Sequence, residues 1–197
     1  MQEYDEVLVR QTLLPDVLII EPDVFEDSRG YFLETWSAER YAEHGITELF
    51  VQDNLSRSCL GTLRGLHLQS PPNGQGKLVY VLEGEVFDVA VDVRTGSPTF
   101  GRWIGETLSA RNHRQLYIPP GFAHGFCVTS DVALFGYKCT DYYAPSAELS
   151  VLWNDPEIGV HWPVPNPLLS ARDAAGTPLA ELPHDRLPAW TEREGGA

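Results

Sequence analysis

The sequence predicts an all-β fold, a jelly roll or antiparallel β-sandwich with a few short helices, and three features carry that prediction. Apolar residues alternate with period two along most of the chain. Turn signals separate these segments at short, regular intervals. The 15 prolines and 17 glycines are spread along the 197 residues rather than gathered into linkers.

Taken in order, residues 17–21 and 31–36 read as strands on either side of the turn signal EDSRG. SAERYAEHG, residues 37–45, reads as a helix: Ser37 is the N-cap, Arg40 lies four residues before His44, and Gly45 is the stop. Strands follow at 50–56 and 62–69. KLVYVL (77–82) and VFDVAVDVR (86–94) flank EGE and read as an antiparallel hairpin turning at Gly84. In the second strand Phe87, Val89, Val91 and Val93 form an apolar face, with Asp88 and Asp92 on the other side. Further strands are expected at 102–108, 115–118, 122–129, 132–140 and 149–153, punctuated by RTGSP, IPPGF and SD. No internal repeat or linker divides the chain, so residues 1–197 are expected to form one domain, with 184–197 a tail ending in the polar, frayed TEREGGA.

Composition removes several classes of partner. A formal net charge of −14 argues against a nucleic-acid backbone but not against a small anion, provided a few cations converge; Arg29, Arg64 and Lys77 are the cations to follow. No apolar run approaches the ~18 residues of a membrane span, and MQEYDEVLVR carries acids where a signal peptide would carry lysines. The three cysteines are odd in number and lack CxxC spacing, so a cytoplasmic, reducing setting without a disulfide framework is expected.

His67 lies in LRGLHLQ. On an ideal strand Leu63, Gly65, His67 and Gln69 share one face and Arg64 the other, so Arg64 and His67 meet in one pocket only if the ladder breaks, and Gly65 is where a bulge fits. A jelly-roll metal site would want H-x-H, but position 69 is Gln69; no metal is expected, although His67 and His124 could meet. His124, flanked by Phe122 and Phe126, fits a buried structural residue as well as a site residue. Gln52, Asn54 and Ser56 share one strand face; Phe32, Glu34 and Trp36 share another; Tyr137, Cys139, Asp141 and Tyr143 alternate. Each pattern also suits an ordinary half-buried strand. Ser170 and Asp173 have the spacing of a capping box, which leaves capping and chemistry equally open for Asp173.

FEDSRGYFLETW, VQDNLSRS, TLRGLHLQ, QGKLVYVLEGEVFDVAVDVRTGSPTFG, YIPPGFAHGF, YKCTDYY and WNDPEIGVHWP together resemble the dTDP-4-dehydrorhamnose 3,5-epimerase family, over roughly residues 13–183. The resemblance implies a cupin-like jelly-roll isomerase that needs no cofactor. Its substrate would be a dTDP-4-keto-6-deoxyhexose, inverted at the carbons beside the ketone. It also implies roles: His67 as base, Asp173 as its orienting partner, Tyr137 as acid on the opposite face, Lys77 beside the developing enolate oxygen, and His124 near the sugar. Asp88 is a lesser rival to Asp173 as partner of His67 or Lys77. Arg64 and Arg29 would hold the diphosphate, Gln52 and Asn54 the sugar and phosphate, and Phe32, Glu34 and Tyr143 the nucleoside. The family's N-terminal segment, here about residues 1–50, would contribute Arg29, Phe32 and Glu34 across a homodimer interface. Other readings of the same residues are a C3- or C5-monoepimerase, a ketoisomerase, a non-catalytic sugar-binding cupin and a metal-dependent cupin oxygenase.

Overall fold

The computed structural model describes residues 7–191. Thirteen strands run in the order β1 (Leu8–Gln11), β2 (Leu18–Glu21), β3 (Val24–Asp27), β4 (Gly30–Leu33), β5 (Gln52–Cys59), β6 (Leu63–Gln69), β7 (Lys77–Glu83), β8 (Glu85–Asp92), β9 (Trp103–Ser109), β10 (Gln115–Ile118), β11 (Phe122–Val128), β12 (Val132–Cys139) and β13 (Glu148–Ser150). Two short helices, α1 (Ala38–Ala42) and α2 (Ala171–Ala174), interrupt them. The strands form a six-stranded sheet, β1-β2-β10-β7-β12-β5, a five-stranded sheet, β13-β6-β11-β8-β9, and a separate β3-β4 ribbon.

Period-two alternation places one apolar face of each large sheet inward. Val79, Val81, Leu116, Ile118 and Phe135 from the first meet Val86, Ala90, Leu108, Phe122 and Phe126 from the second. Burial of each such side chain is worth about 1.5–3 kcal/mol, so this layer holds the sheets together. The outer face of the five-stranded sheet packs Leu66, Leu68, Val89 and Val91 against Ile158, Leu179, Leu182 and Leu187 of the C-terminal segment. On the other sheet, Ile20, Leu78 and Tyr117 are covered by Tyr41 of α1 and by Ile46. Ser37 caps α1, its Oγ accepting from the Arg40 N–H, and Gly45 follows with a φ of +83°.

Two expectations are overturned. β7 and β8 do not form a hairpin: β7 pairs with β10 and β12, whereas β8 pairs with β11 and β9. Gly84 is the corner at which the chain crosses between sheets, and its left-handed φ of +77° serves a corner as readily as a hairpin turn. Nor is the Asp88 side of β8 a polar one. Val86 and Ala90, which share a side with Asp88, belong to the inter-sheet layer, and Asp88 and Asp92 are both 0% exposed. A strand covered on both sides loses the simple alternation of a half-exposed one. Asp92 is satisfied there by Arg94, Ser97 Oγ (2.6 Å) and Thr99 Oγ1 (2.7 Å). The edge strands β1 and β3 are also additional to the expected set; LVRQ and VFED are short and largely exposed, so neither carries an apolar alternation.

A Cβ at position 84 would lie 1.9 Å from the Val132 carbonyl oxygen. Gly84→Ala therefore meets both a backbone clash and an unfavourable φ, and is expected to lower unfolding free energy by about 1–3 kcal/mol. Equilibrium urea denaturation would measure this, and an unchanged midpoint would show that the corner relaxes without cost.

Candidate active site

The site begins with a break in β6. His124 lies opposite His67 and Phe126 opposite Arg64, so two residues of β6, Gly65 and Leu66, face the single Gly125 of β11. Only glycines allow this approach: a Cβ on Gly65 would lie 2.5 Å from Gly125 Cα, and one on Gly125 would lie 2.7 Å from the Arg64 carbonyl oxygen. Gly65 adopts a φ of +136°. The bulge restores Arg64 and His67 to the same side, and both line one cavity of about 330 Å³. Leu66 and Leu68 turn into the core behind it.

His67 Nε2 lies 2.6 Å from Asp173 Oδ1. The Asp173 backbone N–H donates to Ser170 Oγ (3.1 Å), and Ser170 Oγ donates to Asp173 Oδ2 (2.7 Å). Capping and chemistry are thus both served: the amide uses the cap while the carboxylate faces the imidazole. Burial raises the Asp173 pKa, but hydrogen bonds from His67, Ser170 and the Gly65 N–H outweigh it and hold the carboxyl below its usual value. An ionised Asp173 fixes the His67 proton on Nε2 and leaves Nδ1 as the basic atom.

A second buried network lies behind the first. Lys77 opens β7 at the end of a loop held by Gln75 Nε2 donating to the Asp141 carbonyl (2.7 Å) and Gly76 N–H to Thr140 Oγ1 (2.8 Å). Its Nζ lies 3.4 Å from His124 Nδ1, while His124 Nε2 lies 3.0 and 3.1 Å from the Asp88 oxygens. Asp88 is therefore the partner of His124, and its expected rivalry for His67 is not realised. Desolvation lowers the Lys77 and His124 pKa values and raises that of Asp88.

Tyr137, on β12 between Asn54 of β5 and Val79 of β7, enters from the six-stranded sheet, whereas His67 enters from the five-stranded one. Burial raises the Tyr137 phenol. An adjoining cavity of about 300 Å³ is lined by Gln52, Asn54, Gln69, Gln75 and Cys139, and the two cavities share His67, Lys77, Tyr137, Tyr143 and Glu148. Gln52 donates to Asn54 Oδ1 (3.1 Å) and accepts from the Tyr143 N–H (3.0 Å), so it joins the strand face to the 142–148 segment.

Arg29, Phe32 and Glu34 are not brought to these cavities within one chain. Arg29 is paired with Asp27 on the β3–β4 ribbon, Phe32 is 54% exposed beside it, and Glu34 is bound by Arg40. Conversely, Glu148 and Arg172 join the site without having been singled out. Glu148 accepts from Tyr143 Oη (2.6 Å) and pairs with Arg172, and both line the larger cavity. The available signal was Arg172 itself, a cation adjacent to Asp173 in a chain with only 14 lysines and arginines. Among the described residues no group of three or more His, Cys, Asp or Glu side chains could hold a metal ion, and no helix is long and apolar enough to cross a membrane.

A carboxylate-oriented imidazole on one wall, a phenol on the other and an ammonium shared by both cavities place around one site of a jelly-roll protein the kinds of group that general acid–base chemistry uses. The family model described as dTDP-4-dehydrorhamnose 3,5-epimerase matches residues 11–181. A Neisseria gonorrhoeae protein of that name is 57% identical over 177 residues, 89% of this chain, and the chain spans 54% of that protein's length. A Shigella flexneri protein of the same name is 56% identical over 169 residues, covering 85% of this chain and 93% of the relative. The crystal structure of a dTDP-6-deoxy-D-glucose-3,5-epimerase from Legionella pneumophila in complex with dTDP-4-keto-L-rhamnose is 51% identical and superposes with a TM-score of 0.93, over 95% of this chain and 100% of that one. The chain belongs to the dTDP-4-dehydrorhamnose 3,5-epimerase family, whose members are carbohydrate epimerases, a class of isomerase.

Because the folded-state pKa of Asp173 is depressed, its stabilisation is complete above the unfolded value near 3.8 and is lost as pH falls through the folded value. Asp173→Asn is expected to lower stability at neutral pH by about 1.5–3 kcal/mol. That gap from wild type should shrink below about pH 4. Urea unfolding from pH 7 to pH 3 would show it; a constant gap would mean that the carboxylate is not held ionised.

Proposed function

We propose that the chain converts dTDP-4-dehydro-6-deoxyglucose to dTDP-4-dehydro-L-rhamnose by inverting C3 and C5. The observation that carries this reading is the placement of the His67–Asp173 pair and the Tyr137 phenol on opposite sheets around one cavity. Both carbons flank the C4 ketone, so loss of either hydrogen gives an enolate and the ketone is the electron sink. His67 Nδ1 takes the proton, and Asp173 stabilises the imidazolium that forms. Lys77 offers its charge to the enolate oxygen, and Tyr137 returns a proton from the far side, which inverts the carbon. Solvent exchange then resets both groups for the next carbon.

Arg64, whose Nε is steadied by Ser58 Oγ (3.1 Å), is read as a diphosphate contact, since a guanidinium fork suits phosphate oxygens. His124, Gln52 and Asn54 are read as lining the sugar end, and Tyr143 the nucleoside end. Arg29, Phe32 and Glu34, exposed or paired away from these cavities, serve a neighbouring subunit's site in a homodimer. In this reading the described residues belong to one domain, with the N-terminal segment up to about residue 50 engaged with the partner, and all of the TEREGGA tail after Thr191 lies outside the described residues. The three unpaired cysteines suit a cytoplasmic enzyme.

Proton NMR of product formed in deuterated water tests the activity, with deuterium and inverted configuration expected at both C3 and C5. Label at one carbon only would make the chain a monoepimerase, and no label would end the epimerase reading. His67→Ala is expected to reduce exchange by about 10²- to 10⁴-fold while nucleotide affinity persists. Tyr137→Phe should separate the two proton transfers: exchange persists, because His67 still forms the enolate, but inversion falls much further. Equal loss of both would instead place Tyr137 in enolisation or sugar positioning. Arg64→Ala is expected to raise KM through a lost contact of about 1.5–3 kcal/mol; an unchanged KM with lower kcat would remove it from the diphosphate.

A further inference from the structure

Asp88 has no use in the reaction just described, yet it is a carboxylate with 0% exposure, flanked along β8 by the core residues Val86 and Ala90. Among the described residues its hydrogen bonds run from both oxygens to one atom, His124 Nε2, at 3.1 and 3.0 Å. The other imidazole nitrogen faces the Lys77 ammonium at 3.4 Å. The trio crosses the sandwich, because Lys77 belongs to the six-stranded sheet and His124 and Asp88 to the five-stranded one. A buried carboxylate remains charged only with a counter-charge, and the ammonium of the half-buried Lys77 holds its charge more readily beside one. A neutral imidazole between them meets both needs: its Nε2–H donates to the carboxylate and its Nδ1 lone pair accepts from the ammonium.

We infer that Asp88 is a positioning residue of the reaction, acting through His124 as the counter-charge that keeps the Lys77 ammonium charged and facing the catalytic cavity. This rests on the epimerase reading, in which Lys77 must be a cation at the enolate oxygen. The other groups facing Lys77 do not supply that charge. On β12 they are the neutral phenol of Tyr137 and the thiol of Cys139, Lys77's cross-strand neighbour, which burial raises. On β6 the group is His67, already engaged with Asp173. Across the cavities are the Tyr143 phenol and Glu148, which is committed to Tyr143 and Arg172. Desolvation depresses Lys77, and the charges that can oppose it are those of Cys139 and then Asp88; burial holds Cys139 as a neutral thiol, which leaves Asp88.

The chain has two lysines, Lys77 and Lys138, so protein grown on lysine labelled at the ε-carbon gives two side-chain NMR signals that report their titration directly. Lys138, paired with Asp53 at 3.0 Å, is the internal reference. In the wild type Lys77 should be charged at pH 7. In Asp88→Asn, which retains an acceptor for His124, the Lys77 midpoint should fall by about one unit or more while Lys138 stays put. The basic limb of the kcat profile should move with Lys77, and kcat at pH 8 should fall roughly 10- to 1000-fold against wild type. Asp88→Glu, which keeps the charge, should hold Lys77 near its wild-type midpoint and provides the test if Asp88→Asn does not fold. A wild-type Lys77 that is neutral at pH 7 would overturn the inference. So would an Asp88→Asn protein that loses activity evenly at all pH values with its lysine titration unmoved, or an Asp88→Glu protein whose Lys77 has lost its charge. The titration needs no substrate, so it can fail while the wild type still exchanges deuterium, and the epimerase reading would then stand.

Discussion

The backbone contact between Gly65 and Gly125 is what the rest of the cavity depends on. Neither position has room for a methyl group, and the closeness of the two strands there lets β6 carry one more residue than β11 between paired positions. Without that residue Arg64 and His67 would point to opposite sides of the five-stranded sheet. One of them would then enter the C-terminal core with Leu66 and Leu68, where a charge or an imidazole has no partner. The bulge thus converts a strand with one functional face into a corner that presents an imidazole and a guanidinium together. Opposite it, α2 delivers Asp173 because its Ser170 cap fixes the first turn, so helix capping and orientation of the base are a single local structure.

Two carboxylates accompany two histidines here, and their surroundings push them in opposite directions. Asp173 collects donors from His67, Ser170 and the Gly65 backbone, and is held ionised beside the cavity. Asp88 has only His124 in hydrogen-bond contact and the Lys77 charge beyond it, and burial outweighs both and drives it upward. Asp173 is therefore suited to stabilising an imidazolium that forms and disappears with each proton transfer. Asp88 is suited to a standing charge pair that does not change during the reaction. The pair serving the base lies near the surface, with His67 26% exposed at its side chain, while the pair behind Lys77 is sealed in the sandwich.

How far the sequence foretells this depends on the range of each interaction. A strand whose burial alternates, such as β5, was legible from its sequence pattern, as was the Ser37 cap, because each signal lies within a few residues. The Gly84 corner was misread because EGE is compatible with both a hairpin and a crossing, and the choice is made by the distant partners β10, β12, β11 and β9. The Asp88 side of β8 looked polar because the sheet that covers it is built from segments remote in sequence. Within the site, the need for a bulge at Gly65 followed from parity, and the roles of His67, Asp173, Tyr137 and Lys77 came from family resemblance. Glu148 and the Asp88–His124 contact were not legible, since each is defined by a distance between segments remote in sequence.

In the proposed mechanism the sandwich itself is part of the chemistry. His67 and Tyr137 are attached to different sheets, so the space between base and phenol is set by the inter-sheet layer of Val79, Phe126 and Phe135 rather than by any flexible loop. Phe135 stacks on Phe126 with ring centroids 4.1 Å apart and also contacts the rings of His124 and Tyr137. It therefore touches both the support of Lys77 and the phenol from one side of the cavity. A close-packed layer of this kind resists small displacements, and proton transfer from two faces of one carbon requires that neither wall drift. The apolar residues that make the protein fold are in this way the same ones that keep the His67 imidazole and the Tyr137 phenol at a fixed separation.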